Sequence, residues 1–251
     1  VDNTPPSVTA DFAVETTREL GVALNLLSGD ASQVKLAGDV QPGGYTQWGA
    51  FASSLGVLLT DAEGVHNVVV SVRDEAFNVH SISVSVTVDR LAPQSTPQLL
   101  PPDGQGAVKG GDQVSFGGSV EAGATLVSAR IMETANAATV ATVTGSVTIS
   151  AQGVISGSTA LAGPLGVAAI ALEVIVSDGV NHSVAGDSRS ASVMVDETAP
   201  SQGSVVIAGG IATVGTRDVA LSIAATGADE MFVSGDVVAT SDVTKAWVTY
   251  A

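Results

Sequence analysis

The chain has no cysteine among its 251 residues. That excludes thiol catalysis, disulfide staples and thiolate-bound metal, and a domain of about 100 residues can bury enough surface to fold without them, so the compartment stays open. Basic residues are scarce as well. Nine Lys and Arg stand against 25 Asp and Glu, a formal charge of −16 spread without any block of one sign. Such a surface repels nucleic acid and anionic lipid, so no nucleic-acid partner is expected. The most apolar run, residues 163–177, carries Glu173 and is shorter than the roughly 20 residues of a spanning helix, so no membrane insertion of this segment is expected. Aromatics make up only 4% of a chain that is 45% apolar, which leaves the core to Val, Ala, Leu and Ile.

Catalytic signatures are missing too. Of the three histidines, His66, His80 and His182, none has a second at zinc spacing, and each reads as an ordinary strand or loop residue, with His80 on an apolar face. No Gly-x-Ser-x-Gly elbow occurs and no glycine loop opens a helix. Lys35, Lys109 and Lys245 lie at turn-adjacent or alternating positions unsuited to buried isopeptide cross-links. The expectation is a protein that is not an enzyme.

What is present is a repeated mark: VDNTPP from Val1, VDRLAP from Val88 and VDETAP from Val195. The marks divide the chain into units at 1–90 and 91–197 and a shorter one at 198–251, the first two of the roughly 100-residue size of an immunoglobulin-like sandwich. Val and Thr favour strands, and the 28 glycines and nine prolines suit turns. The fold class expected is all-β: tandem immunoglobulin-like β-sandwich modules, the last one incomplete.

Period-two alternation supports this in the first unit over residues 7–13, 20–27, 33–37, 56–60, 67–72 and 79–88. The last run is clearest, with Val79, Ser81, Ser83, Ser85 and Thr87 opposite His80, Ile82, Val84, Val86 and Val88. Trp48 and Phe51 are expected to add bulk to the core, the other reading being an exposed platform for sugar. In the second unit, strands are expected over 125–132, 138–144, 146–151 and 167–176, with a last one ending at Val195. The third unit repeats the first: Thr216-Arg217-Asp218-Val219 matches Thr17-Arg18-Glu19-Leu20, and Gly235-Asp236-Val237 matches Gly38-Asp39-Val40. By that alignment the chain stops midway through the repeat. Truncation of a larger protein is the plain explanation, and completion by strands from a neighbouring chain is the other.

The VDxTAP junction, the loop Arg73-Asp74-Glu75-Ala76-Phe77-Asn78 and the stretch SVVIAGGIATVGTRDVALSIAA from Ser204 resemble the bacterial Ig-like repeats of large secreted surface proteins, such as giant adhesins and S-layer-type proteins. Phe77 departs from that pattern, which has Gly there. The resemblance implies an extracellular, bacterial cell-surface location and a spacer, lattice or binding role, with neighbouring modules of the same chain as first partners. Self-assembly into a lattice or filament would extend that role. A glycan- or receptor-binding module of an adhesin tip, phage tail or extracellular enzyme is the alternative.

Sandwich topology predicts where the acids meet. The loop before the last strand lies at the pole where the chain enters. Asp74, Glu75 and Asn78 should therefore approach Asp2 and Asn3, and Asp178 and Asn181 should approach Asp89. Asp61 and Glu63 should sit at the exit pole of the first unit. Hard oxygen ligands of this kind suit Ca²⁺, which takes about six to eight of them. Asp2, Asp61, Glu63, Asp74, Asn78, Asp89, Asp178, Asn181 and Asp196 are accordingly the candidate ligands of Ca²⁺ that would stiffen the junctions. The same residues are also good turn-formers through side-chain to backbone hydrogen bonds.

Overall fold

The computed structural model describes residues 2–102, 106–216, 218–234 and 247–250. Val1, Arg217, the triplet at 235–237, Lys245 and Ala251 lie outside the described residues. In the first unit the strands are β1 (Thr9–Phe12), β2 (Thr16–Thr17), β3 (Gly21–Leu27), β4 (Gln33–Gly38), β5 (Gly49–Ala50), β6 (Ser54–Leu58), β7 (Gly64–Arg73) and β8 (Val79–Val88). They form two facing sheets, β1-β3-β6 and β2-β8-β7-β4-β5. Alternation does the sorting. Val22, Leu24 and Leu26 of β3 and Val68, Val70 and Val72 of β7 turn into one buried cluster, and their neighbours in sequence face water.

The second unit has β9 (Ser95–Leu100), β10 (Ala107–Val108), β11 (Gln113–Val120), β12 (Thr125–Glu133), β13 (Thr139–Thr142), β14 (Val147–Ile149), β15 (Ile155–Ala160), β16 (Ala169–Ser177) and β17 (Val193–Val195). The sheets are β14-β15-β11-β9 and β10-β17-β16-β12-β13. Strand β16 is buried on both faces, and residues 183–190 run beside it in the plane of the sheet, bonded at Val176, Val174 and Leu172. That is why its sequence reads as a continuous apolar run rather than an alternation. Where β7 and β8 make one hairpin in the first unit, the corresponding return in the second is mostly irregular, and β17 is short.

Both units tether the last strand in the same way. Strand β2 pairs in parallel with the end of β8, and β10 pairs in parallel with β17. Beyond them, β18 (Ser201–Ile207) pairs with β19 (Leu221–Thr226), and β20 (Glu230–Met231) with β21 (Val248–Thr249). Every residue of β18 is exposed.

Two expectations about side chains are corrected. Trp48 does not fill the core: it is half-buried beneath the Arg73 guanidinium, 4.4 Å from the ring centre, while Phe51 does pack against the first core cluster. Phe116 is the aromatic that is buried, at 4% exposure in the second core. His80 is exposed at the outer end of β8. His66 is instead the buried histidine, its ring nitrogens 3.3 Å from Thr60 Oγ1 and 3.1 Å from the Ala62 carbonyl.

Candidate functional site

The linkers are where repeated chemistry gathers. In each mark the Asp side chain turns back on the chain: the Thr4 N–H donates to Asp2 Oδ1 at 2.9 Å, Leu91 N–H to Asp89 Oδ1 at 3.1 Å and Thr198 N–H to Asp196 Oδ1 at 2.8 Å. These are Asx turns, which shape the exit of the chain without a helix or ladder. The Asp89 and Asp196 N–H groups meanwhile extend the parallel tethers, donating to Thr17 O at 2.8 Å and Val108 O at 2.9 Å.

An asparagine of the unit that follows then receives the first two of these segments. Asn78 Nδ2 donates to the Asp2 carbonyl at 3.1 Å, and Asn181 Nδ2 donates to the Asp89 carbonyl at 3.0 Å. Both asparagines sit in loops organised by an aspartate. Asp74 accepts from the Asn78 backbone and side chain at 2.9 Å each, and Asp178 Oδ1 accepts from Val180 and Asn181 N–H at 2.7 Å each. The Asn78 side chain, helped by backbone N–H groups, holds the Asp74 pKa below its ordinary value against the opposing effect of burial. At Asp178 burial pushes upward and is outweighed by the bonds from Asn181 and Val180, so its pKa also lies below the ordinary value. In the first loop Phe77 takes φ 66°, the left-handed region that Gly favours, and its ring lies 4.7 Å from the Arg73 guanidinium on the side exposed to water.

The third residue of each mark differs, and so does what it grips. Arg90 reaches back to the exit pole of the first unit: its Nη1 lies 2.8 Å from Asp61 Oδ1, its Nε 3.4 Å from Glu63 Oε2, and its backbone N–H donates to Glu63 Oε1 at 2.7 Å. The bond to Asp61, with the charge of both acids, raises the Arg90 pKa above its ordinary value. Glu197 instead accepts at Oε1 from the Gly110 and Leu165 N–H groups, both at 3.0 Å. Gly110 is required there, since a Cβ would stand 2.2 Å from the Gly163 Cα.

The structure thus brings Asn78 to Asp2, Asn181 to Asp89, and Asp61 with Glu63 to Arg90, and leaves Glu75 without a contact in this set. Arg90 and Glu197 were not among the residues singled out from the sequence; their shared place in the mark was the available signal. Among the described residues no three Asp, Glu or His side chains are placed to hold a metal ion. At the first junction Asp61 and Glu63 face Arg90, while Asp89 and Asp178 each accept backbone N–H groups at Oδ1. A cleft of about 980 Å³ behind the last linker is lined by Asp112, Asp196, Glu197, Asp229 and Glu230. Of these, Asp112 is taken up by the Lys109 N–H, Asp196 by its own turn and Glu197 by Gly110 and Leu165.

No family model matches the chain, and no curated protein does. Among solved structures, a Ca²⁺-stabilized adhesin that helps an Antarctic bacterium reach out and bind ice is 19% identical, with 91% of this chain matching 59% of that one at a TM-score of 0.51. The fibronectin(III)-like modules of CbhA from Clostridium thermocellum are 11% identical over 75% of this chain and 92% of theirs, with a TM-score of 0.31. Murine CEACAM1b is 16% identical over 76% of this chain and 99% of its own, with a TM-score of 0.35. The likeness to the adhesin, with the paired sheets described above, shows the fold: all-β, in tandem immunoglobulin-like sandwich modules.

Proposed function

We propose that this chain is a non-catalytic spacer segment of a large extracellular bacterial surface protein, in which sandwich modules divided near residues 90 and 197 are set end to end. The observation that carries this reading is the repeated linker. One unit's last strand runs through the mark without an added loop, makes the same Asx turn, and is received by an asparagine of the next. Such an array sums stability over its units and presents whatever lies beyond it. Its negative charge keeps chains apart at the cell surface.

The binding-module reading rests on the aromatics, above all exposed Phe77 beside Arg73 and Trp48. Against it, Arg73 covers one face of Trp48, and the Tyr250 hydroxyl is occupied by the Ala225 N–H and the Ile223 carbonyl. Small-angle scattering with a glycan array separates the two. The spacer reading expects an elongated particle and no reproducible glycan hit. A hit abolished by Trp48→Ala or Phe77→Ala would replace it with the binding reading.

A further inference from the structure

We infer that Arg90 is the built-in cation of the first junction, locking the linker onto Asp61 and Glu63 so that this hinge is held without a divalent metal. Two grips act on adjacent linker residues from opposite sides. The second unit holds Asp89 by its carbonyl through Asn181, and the first unit holds Arg90 by both side chain and backbone through Asp61 and Glu63. A freely hinged linker needs rotation about these residues, and each grip removes part of it. Further along, Pro93 fixes its own φ and is buried, which leaves only Leu91 and Ala92 between the grips and the second unit's first anchored residue.

The chemistry is that of a cation site with the cation supplied in the chain. Asp61 and Glu63 converge on one positive centre, as they would on Ca²⁺, but the centre is a planar guanidinium whose donors point at their oxygens. Glu63 is doubly committed, one oxygen to the Arg90 N–H and the other to Nε. The third position of the mark therefore acts as a selector. An Arg there reads acids at the exit pole, whereas Glu197 at the same place reads two backbone N–H groups of the second unit. The lock deepens the spacer reading, but it concerns the first hinge alone and stands whether the array is a stalk or carries a ligand.

The test measures inter-unit distances by pulsed spin-label spectroscopy on the full chain, using Ser83→Cys and Ser158→Cys, both exposed on strands of different units. The absence of native cysteine makes the labelling specific. The expected result is a narrow distribution, the same in millimolar Ca²⁺ and in chelator. Arg90→Gln should broaden it, with roughly a 1.4- to 5-fold rise in reoriented conformers, the range for loss of exposed ion pairs. Arg90→Glu should broaden it further by facing two carboxylates, and about 1 M salt should narrow that difference. Thermal melting of Arg90→Gln, expected to be unchanged, separates loss of the lock from loss of the fold. Narrowing of the wild-type distribution by Ca²⁺, or an Arg90→Gln distribution identical to wild type, would overturn the lock. Neither result bears on particle length or glycan binding, which test the spacer reading.

Discussion

At Glu173 a carboxylate 4% exposed lies in the middle of β16, between Arg130 at 2.7 Å and Arg189 at 2.8 Å. Burial alone would raise its pKa. The hydrogen bonds and charges of the two arginines more than offset this and hold it below the ordinary carboxylate value. The sign for stability follows. A depressed folded pKa contributes stability that is present above the unfolded value, about 4.3, and is lost as pH falls through the lower folded value. The second unit's melting temperature is expected to fall with acidification in that window, and Glu173→Gln should flatten this fall while lowering stability at neutral pH. Replacing both arginines by Met leaves a buried charge unpaired and should cost about 3–5 kcal/mol in urea unfolding at pH 7. A double variant as stable as wild type would mean that water already reaches the carboxylate. In sequence, Glu173 looked only like an interruption of an apolar run, because its partners lie 43 and 16 residues away.

At the scale of elements, what was legible followed from local periodicity. The alternation over 79–88 marks β8 with its observed bounds, since every second residue from Ile82 onward turns inward. The alternation over 56–60 lies two residues beyond the bounds of β6, a shift that keeps the same face, so Leu55, Val57 and Leu59 are buried either way. The short strands β2, β5 and β10 were illegible: two residues carry no period, and the pairing of β2 with β8 and of β10 with β17 is fixed by tertiary contact. The linker was half legible. Counting acids located both poles but overlooked Arg90, the one base in the mark. The Asp178–Asn181 loop allows a direct test of the turn-forming role. Asn181→Ala loses the bond to the Asp89 carbonyl and should cost about 1 kcal/mol. Asn181→Asp should be worse, since it sets a carboxylate against that carbonyl and beside Asp178, and acidification should narrow the gap between the two variants. If instead Asn181→Asp is the more stable and gains further stability with Ca²⁺, the loop is a metal ligand in waiting.

For the whole molecule the decisive fact is that there are two buried clusters with no residue in common. One is built around Leu24, Val34, Leu59 and Val70, the other around Ile131, Ile170, Leu172 and Val174. The described strands beyond residue 200 belong to neither. Among the described residues the units are joined by a few linker residues, an amide-to-carbonyl bond from Asn181 to the linker and an exposed ion pair that holds Arg90 to the first unit, contacts worth little against a core. The units should therefore unfold as separate cooperative transitions, even though the lock sets their mutual direction. Leu24 and Leu172 are both fully buried, and truncating either to Ala should cost about 2–5 kcal/mol. In a domain of this size a loss of even 2 kcal/mol moves the midpoint by about 8–16 °C. Calorimetry of Leu24→Ala should show one transition displaced downward and the other unmoved, and Leu172→Ala should displace the one that Leu24→Ala left in place. Joint displacement of both transitions by either variant would show that the junction couples the cores, and the array would then have to be treated as a single cooperative rod rather than as independent units oriented by their linkers.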